Sequence, residues 1–142
     1  MNARRFVDTN ILIYAHDRDA GEKRDTAAAL LLDLWHTRRG AISTQVLQEF
    51  YVNVTRKIPN PLSKQVARDI IERYSVWPVV SVDPPLILRA SRIEEEHCLS
   101  FWDALIVAAA EKANADILYS EDLNAGQLIA GARIENPLVG SG

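Results

Sequence analysis

The chain is poor in residues that could tie it down from outside its own core. It has one cysteine, Cys98, so no intramolecular disulfide can form and a reducing compartment suits it. Its three histidines, His16, His36 and His97, show no zinc-ligand spacing with one another or with Cys98. No apolar run approaches the roughly 18 to 20 residues that a membrane helix needs. The run after Arg4 and Arg5 is cut at Asp8, too short for the core of a signal peptide. Together these absences point to a cytoplasmic protein without membrane contact. No Gly-rich phosphate loop is present. No G-x-S-x-G elbow supports serine hydrolase chemistry. Repeats and low-complexity segments are also missing. Cys98 reads as a small core residue. Trp35, Trp77 and Trp102 read as packing residues rather than base-stacking platforms.

What is present suffices for a core. The chain has 142 residues and is 48% hydrophobic, which suggests one domain over 1–142. Its net charge is −3, which taken alone argues against nucleic acid. The distribution is uneven: residues 1–66 carry +3 and residues 67–142 carry −6. Basic pairs at Arg4/Arg5, Lys23/Arg24, Arg38/Arg39 and Arg56/Lys57 all lie in the first half. That asymmetry leaves room for a polyanion path beside an acidic site.

Strand and helix patterns alternate. Residues 5–8 read as a short buried strand, with a helix starting near Asn10. Helices follow over 22–37, 44–57, 63–75, from Asp83 to about Glu96, and over 101–114. Val46, Leu47, Phe50, Tyr51 and Val54 make one helical stripe. "AIST", "WPVVSV" and "DILYS" are strand candidates, and "ARIEN" is a possible last one. Short strands between helices imply parallel pairing in a three-layer α/β/α fold. In such sheets, sites form beyond the carboxyl ends of the strands, where strand order reverses.

Four carboxylates fall at such places. Asp8 ends the first strand and Asp122 follows "DILYS". Asp103 sits in the first turn of the 101–114 helix, and Glu49 lies within the 44–57 helix. If they converge, their mutual repulsion calls for a hard divalent cation. A metal so held activates water and neutralises charge developing on a phosphodiester. Each acid also has a plainer reading. Asp8 could cap a turn, although Asn10 is the better N-cap candidate. Asp103 has capping-box spacing from Ser100. Glu49 shares a polar face with Gln45, Asn53 and Arg56, and Asp122 sits in turn-like "SEDLNAG" beside a rival acid, Glu121.

"FVDTNILIYA", "TQVLQEFYVNVTRK", "SFWDALIVAAA" and "LYSEDLNAGQ", in this order and spacing, resemble the PIN-domain ribonucleases, above all the VapC-type toxins of bacterial toxin–antitoxin pairs. The closing "GARIENP" is similar too. The resemblance implies a PIN-like fold with a central parallel sheet of four to five strands. It implies an acidic site of Asp8, Glu49, Asp103 and Asp122 that binds Mg²⁺ or Mn²⁺ and cleaves RNA. Asp8, Asp103 and Asp122 would hold the metal, with Thr9, Asn10 and Ser120 at the edge of the site. The hydroxyls of Thr9 and Ser120 could then donate to phosphate. The toxin role implies an antitoxin partner and a toxin homodimer. A non-catalytic, metal-dependent RNA-binding module is the alternative. A receiver-like phosphoacceptor would want a lysine within 116–127, where there is none, and a haloacid-dehalogenase-like phosphatase would want an Asp at position 10, where Asn10 stands.

Overall fold

A computed structural model describes residues 3–139. The ends of the expected 1–142 domain lie outside the described residues. The elements run β1 (Arg4–Val7), α1 (Thr9–Ala15), α2 (Glu22–Thr37), β2 (Gly40–Ser43), α3 (Thr44–Arg56), α4 (Lys64–Tyr74), β3 (Val79–Val80), α5 (Pro84–His97), α6 (Phe101–Lys112), β4 (Ala115–Tyr119), β5 (Leu128–Ile129) and β6 (Ala132–Glu135). The strands form one sheet in the order β3-β2-β1-β4-β6-β5, flanked by helices. All neighbours pair in parallel except β5 and β6.

The α/β/α architecture is as expected, but the sheet has six strands rather than four to five. The extra one is β5, two residues long, which folds back antiparallel on β6 with Leu128 opposite Arg133. Two residues are too few for an alternating pattern to show. β3 is likewise shorter than "WPVVSV" suggests. Its chain leaves the ladder after Val80, and the Val82 amide donates instead to the Thr44 hydroxyl (3.2 Å).

β1 lies between β2 and β4, with Phe6 opposite Ala41 on one side and Leu118 on the other. The chain builds outward from β1 through β2 and β3, then crosses back to place β4 on β1's other edge. The strand order therefore reverses at β1, so the carboxyl ends of β1 and β4 mark the place where a site forms. α6 packs across this sheet. Ala104 to Ala110 are all buried, which accounts for a helix apolar on every side.

Capping explains most boundaries. Ser43, Ser63, Asp83 and Ser100 each accept a backbone N–H of the helix they start. At α1 the cap is Asp8, not Asn10: Asp8 has extended backbone and its carboxylate accepts the Thr9 amide (2.7 Å), while Asn10 lies inside the helix. Cys98 also departs from expectation. It is an exposed residue in the left-handed conformation (φ 53°) that ends α5, not a core residue.

An aromatic cluster braces β2. The Trp77 ring sits 5.1 Å from Tyr74 and 5.8 Å from Trp35. Gly40, the first residue of β2, meets this ring directly: a Cβ there would lie 2.7 Å from it. Hydrogen in place of a side chain is what lets β2 approach the indole.

Candidate acidic site

Asp8, Glu49, Asp103 and Asp122 all line one cleft of about 450 Å³, as do Thr9 and Asn10. The fold delivers them from four separate segments. β1 runs out at Val7, and the Asp8 amide still bonds the Tyr119 carbonyl of β4 (2.9 Å). Asp122 follows β4 by three residues. Glu49 comes from the polar flank of α3 and Asp103 from the first turn of α6. The Ser100 hydroxyl accepts the Asp103 amide (3.1 Å), but among the described residues no bond returns from the Asp103 side chain to Ser100. The reciprocal half of the capping box is missing, which leaves that carboxylate to the cleft.

Asp8 is the centre of the arrangement. It is 5% exposed, and both oxygens are engaged: Oδ1 accepts the Thr9 amide and Oδ2 accepts the Ser120 hydroxyl (2.8 Å). Burial pushes its pKa up to about 7, against those two bonds, and the nearby charges of Asp122 and Glu49 add to the rise. Asp122 is also raised, first by burial and then by Asp103, Glu121 and Glu49.

The polar neighbours hold acids. The Thr9 hydroxyl donates to Glu49 Oε1 (2.6 Å), and the Asn10 amide donates to Asp122 Oδ2 (3.0 Å). Ser120 is fully buried; besides donating to Asp8, its oxygen accepts the amides of Asp122 (3.2 Å) and Leu123 (3.3 Å). The hydroxyls of Thr9 and Ser120 are thus committed to carboxylates rather than free to donate to a phosphate.

Glu121 points elsewhere. Its carboxylate takes Lys23 Nζ on one oxygen (2.7 Å) and the Tyr14 hydroxyl on the other (2.7 Å). Burial works to raise its pKa, but these two partners outweigh it and hold the group below the ordinary range. A run of two acids on a turn cannot tell which one enters a site; the partners on α1 and α2 decide it. Gln45 is the residue that sequence reasoning missed. Almost wholly buried, it spans the cleft wall, its Nε2 reaching Glu49 Oε2 (3.4 Å) and the Trp102 carbonyl (3.3 Å).

Among the described residues no three His, Cys, Asp or Glu side chains close into a cage around an ion. The donor set nonetheless fits a hard cation. Every acidic ligand offers oxygen, neither His nor Cys lines the cleft, and Lys57 is its one basic lining residue. Mg²⁺ keeps several waters and takes one or two carboxylates plus substrate phosphate, so an open cluster suits it better than a closed one. A buried carboxylate held near neutrality, with two more acids beside it, is the electrostatic demand such an ion meets.

The PIN domain family model matches residues 5–128. Comparison with curated protein sequences gave no match. Among solved structures, the chain is similar to a protein of a toxin–antitoxin complex from Klebsiella pneumoniae, with a TM-score of 0.68 at 22% identity over 94% of this chain and 97% of that one. It is similar to the sarcin-ricin-loop-cleaving toxin VapC20 of Mycobacterium tuberculosis, with a TM-score of 0.65 at 24% identity over 83% and 89%. DNA-bound VapBC from Salmonella typhimurium is a third, with a TM-score of 0.64 at 19% identity over 95% and 98%. At these identities the likeness is one of fold.

Proposed function

From the premise that this chain belongs to the PIN-domain family, we propose that it is a Mg²⁺- or Mn²⁺-dependent endoribonuclease, the toxin of a type II toxin–antitoxin pair. The observation that carries the reading is the meeting of four carboxylates at the switch point of the sheet, with Asp8 buried among them. Asp8, Asp103 and Asp122 would hold the ion, and Glu49 would complete the site. When bound, the ion supplies positive charge at the scissile phosphate and acidifies a water. The chain's own residues do the rest. Thr9 and Gln45 fix the Glu49 carboxylate, which orients the attacking water and takes its proton. Asn10 holds Asp122 towards the cleft, and Ser120 ties Asp8 to the turn that carries Asp122. The likeness to proteins from toxin–antitoxin complexes supports a cognate antitoxin as partner. In this reading the toxin acts as a homodimer in the cytoplasm. No helix among the described residues is long and apolar enough to cross a membrane.

The test is cleavage of RNA by the purified protein in Mn²⁺ or Mg²⁺ with an EDTA control. The expected result is product that vanishes on chelation. Retarded RNA without product would mean a binding module of the same fold.

The Lys23–Glu121 pair gives a smaller expectation. Lys23→Ala frees Glu121, whose charge already raises Asp122, and loosens the turn. An ion pair this open to solvent is worth little, so cleavage should fall by no more than roughly fivefold. The metal concentration for half-maximal activity should rise with it. A titration of rate against Mn²⁺ reads both; an unchanged curve would leave the pair purely structural.

A further inference from the structure

The acid cleft has one wall of a different character. Trp102 lines it, immediately before Asp103, and is 63% exposed. An indole of this size normally hides most of its surface, so one left open beside a reactive centre has no packing explanation. It is also held in place. The Trp102 carbonyl accepts from Gln45, and the ring stands edge-to-face on Phe101 at 5.3 Å. Through the Gln45 side chain, the same amide that steadies Glu49 steadies the backbone under the indole. Platform and carboxylate are therefore registered to each other. Lys57, just past the end of α3, lines the same cleft, is exposed, and makes no ion pair among the described residues.

We propose that Trp102 is a stacking platform for one unpaired nucleobase next to the scissile phosphate, with Lys57 taking a neighbouring backbone phosphate. This rests on the nuclease reading above and names how that site holds its substrate. Aromatic faces accept any base and gain from stacking only when the base is free of its own helix. A single lysine in an otherwise anionic cleft gives the backbone one fixed point, which sets the strand's direction across the acids. The site then prefers a single-stranded segment or loop, with little preference for which base lies on the indole.

The experiment uses the full chain and a single-stranded RNA oligonucleotide, intact or with one abasic nucleotide placed at successive positions around the cut. Cleavage by the parent, Trp102→Phe and Trp102→Ala is followed in Mg²⁺. Base–aromatic stacking corresponds to roughly a 5- to 150-fold change on alanine substitution. Trp102→Ala should lose that factor in kcat/KM, mainly through KM, while Trp102→Phe keeps most of it. At one position the abasic substitution should cost the parent the same factor and cost Trp102→Ala almost nothing, the signature of a shared contact. RNA should also change the tryptophan fluorescence of the parent and leave that of Trp102→Phe unaltered. Equal abasic penalties in parent and Trp102→Ala, or equal cleavage by both, would overturn the stacking role and leave the nuclease reading standing. Normal cleavage by Trp102→Ala with lost binding to the antitoxin would overturn it in favour of a protein-docking role. A parent that cleaves no RNA would overturn both readings.

Discussion

Asp8→Asn is expected to slow RNA cleavage severely and yet yield a metal-free fold that melts higher than the parent at pH 8. The loss of activity follows from removing the charge at the centre of the acid cluster. A cation's help with transition-state charge is worth several kcal/mol, so the rate should drop on the order of 10²- to 10³-fold. The gain in stability has a separate origin. In the folded protein burial raises the Asp8 pKa from 3.8 to about 7. A carboxyl with a raised folded-state pKa favours the fold while it is protonated. That contribution is complete below pH about 4 and is lost as the pH climbs through 7. The metal-free parent should therefore weaken across that window more steeply than the asparagine variant, which keeps only the smaller pH dependence of Asp122. At 1.36 kcal/mol per pKa unit the difference at pH 8 is about 4 kcal/mol. Part of it is returned, because Ser120 loses a charged acceptor and its oxygen already accepts two amides. Adding Mg²⁺ should close the gap by stabilising only the parent. Thermal melts in EDTA at pH 5 and pH 8, alongside a cleavage assay, check every part. Cleavage at the parental rate with the same Mg²⁺ dependence would remove Asp8 from the site.

Gly40→Ala is expected to be the most damaging small substitution away from the acids. Its Cβ would stand 2.7–2.8 Å from three atoms of the Trp77 ring. That ring is 8% exposed and wedged between Tyr74 and Trp35, so it cannot swing aside as a chain end would. β2 cannot retreat either, since Gly40 is paired with Arg5 of β1. Overpacking of this kind costs roughly 1–3 kcal/mol, a fall in Tm of about 3–10 °C for a chain of this size. Trp77→Leu in the same background should recover part of the loss by making room, although alone it destabilises by opening a cavity. Thermal melts of the two single variants and the double variant measure the coupling. Simple additivity would show that the close approach is not what makes glycine necessary.

Periodicity carried the larger features into view. The stripe from Val46 to Val54 announces α3, because burying one helix face leaves a mark every third to fourth residue, and "DILYS" announces β4 by its run of consecutive apolar residues, which are buried on both faces of the sheet. The four acids were legible for a related reason: each ends a strand or opens or flanks a helix, and the PIN-like order of motifs tied them together. What stayed hidden depends on partners distant in sequence. Asp8 and Asn10 are both good caps, and what selects Asp8 is that the chain is still extended there and turns helical from Thr9. Glu121 and Asp122 are equivalent until Lys23 and Tyr14 claim the first. Trp102 looks like any core tryptophan from its neighbours in the chain, because exposure is settled by what packs above it. β5 is too short to carry a pattern at all.

The pairing of β1 with β4 has a consequence for the order in which the molecule comes to life. The bond from Ser120 to Asp8 spans 112 residues, and so does the one from Asn10 to Asp122. Contacts of such separation form late, since the loop between them must be closed before they repay it. On the ribosome, β1 has no β4 to lie against until residues 115–119 have been made. Asp8 and Glu49 can meet early through α1 and α3, but half of the acids are still missing. The four-acid cleft is therefore assembled in two stages, and it stays open on one side until Asp103 and Asp122 have followed Asp8 and Glu49 out of the ribosome.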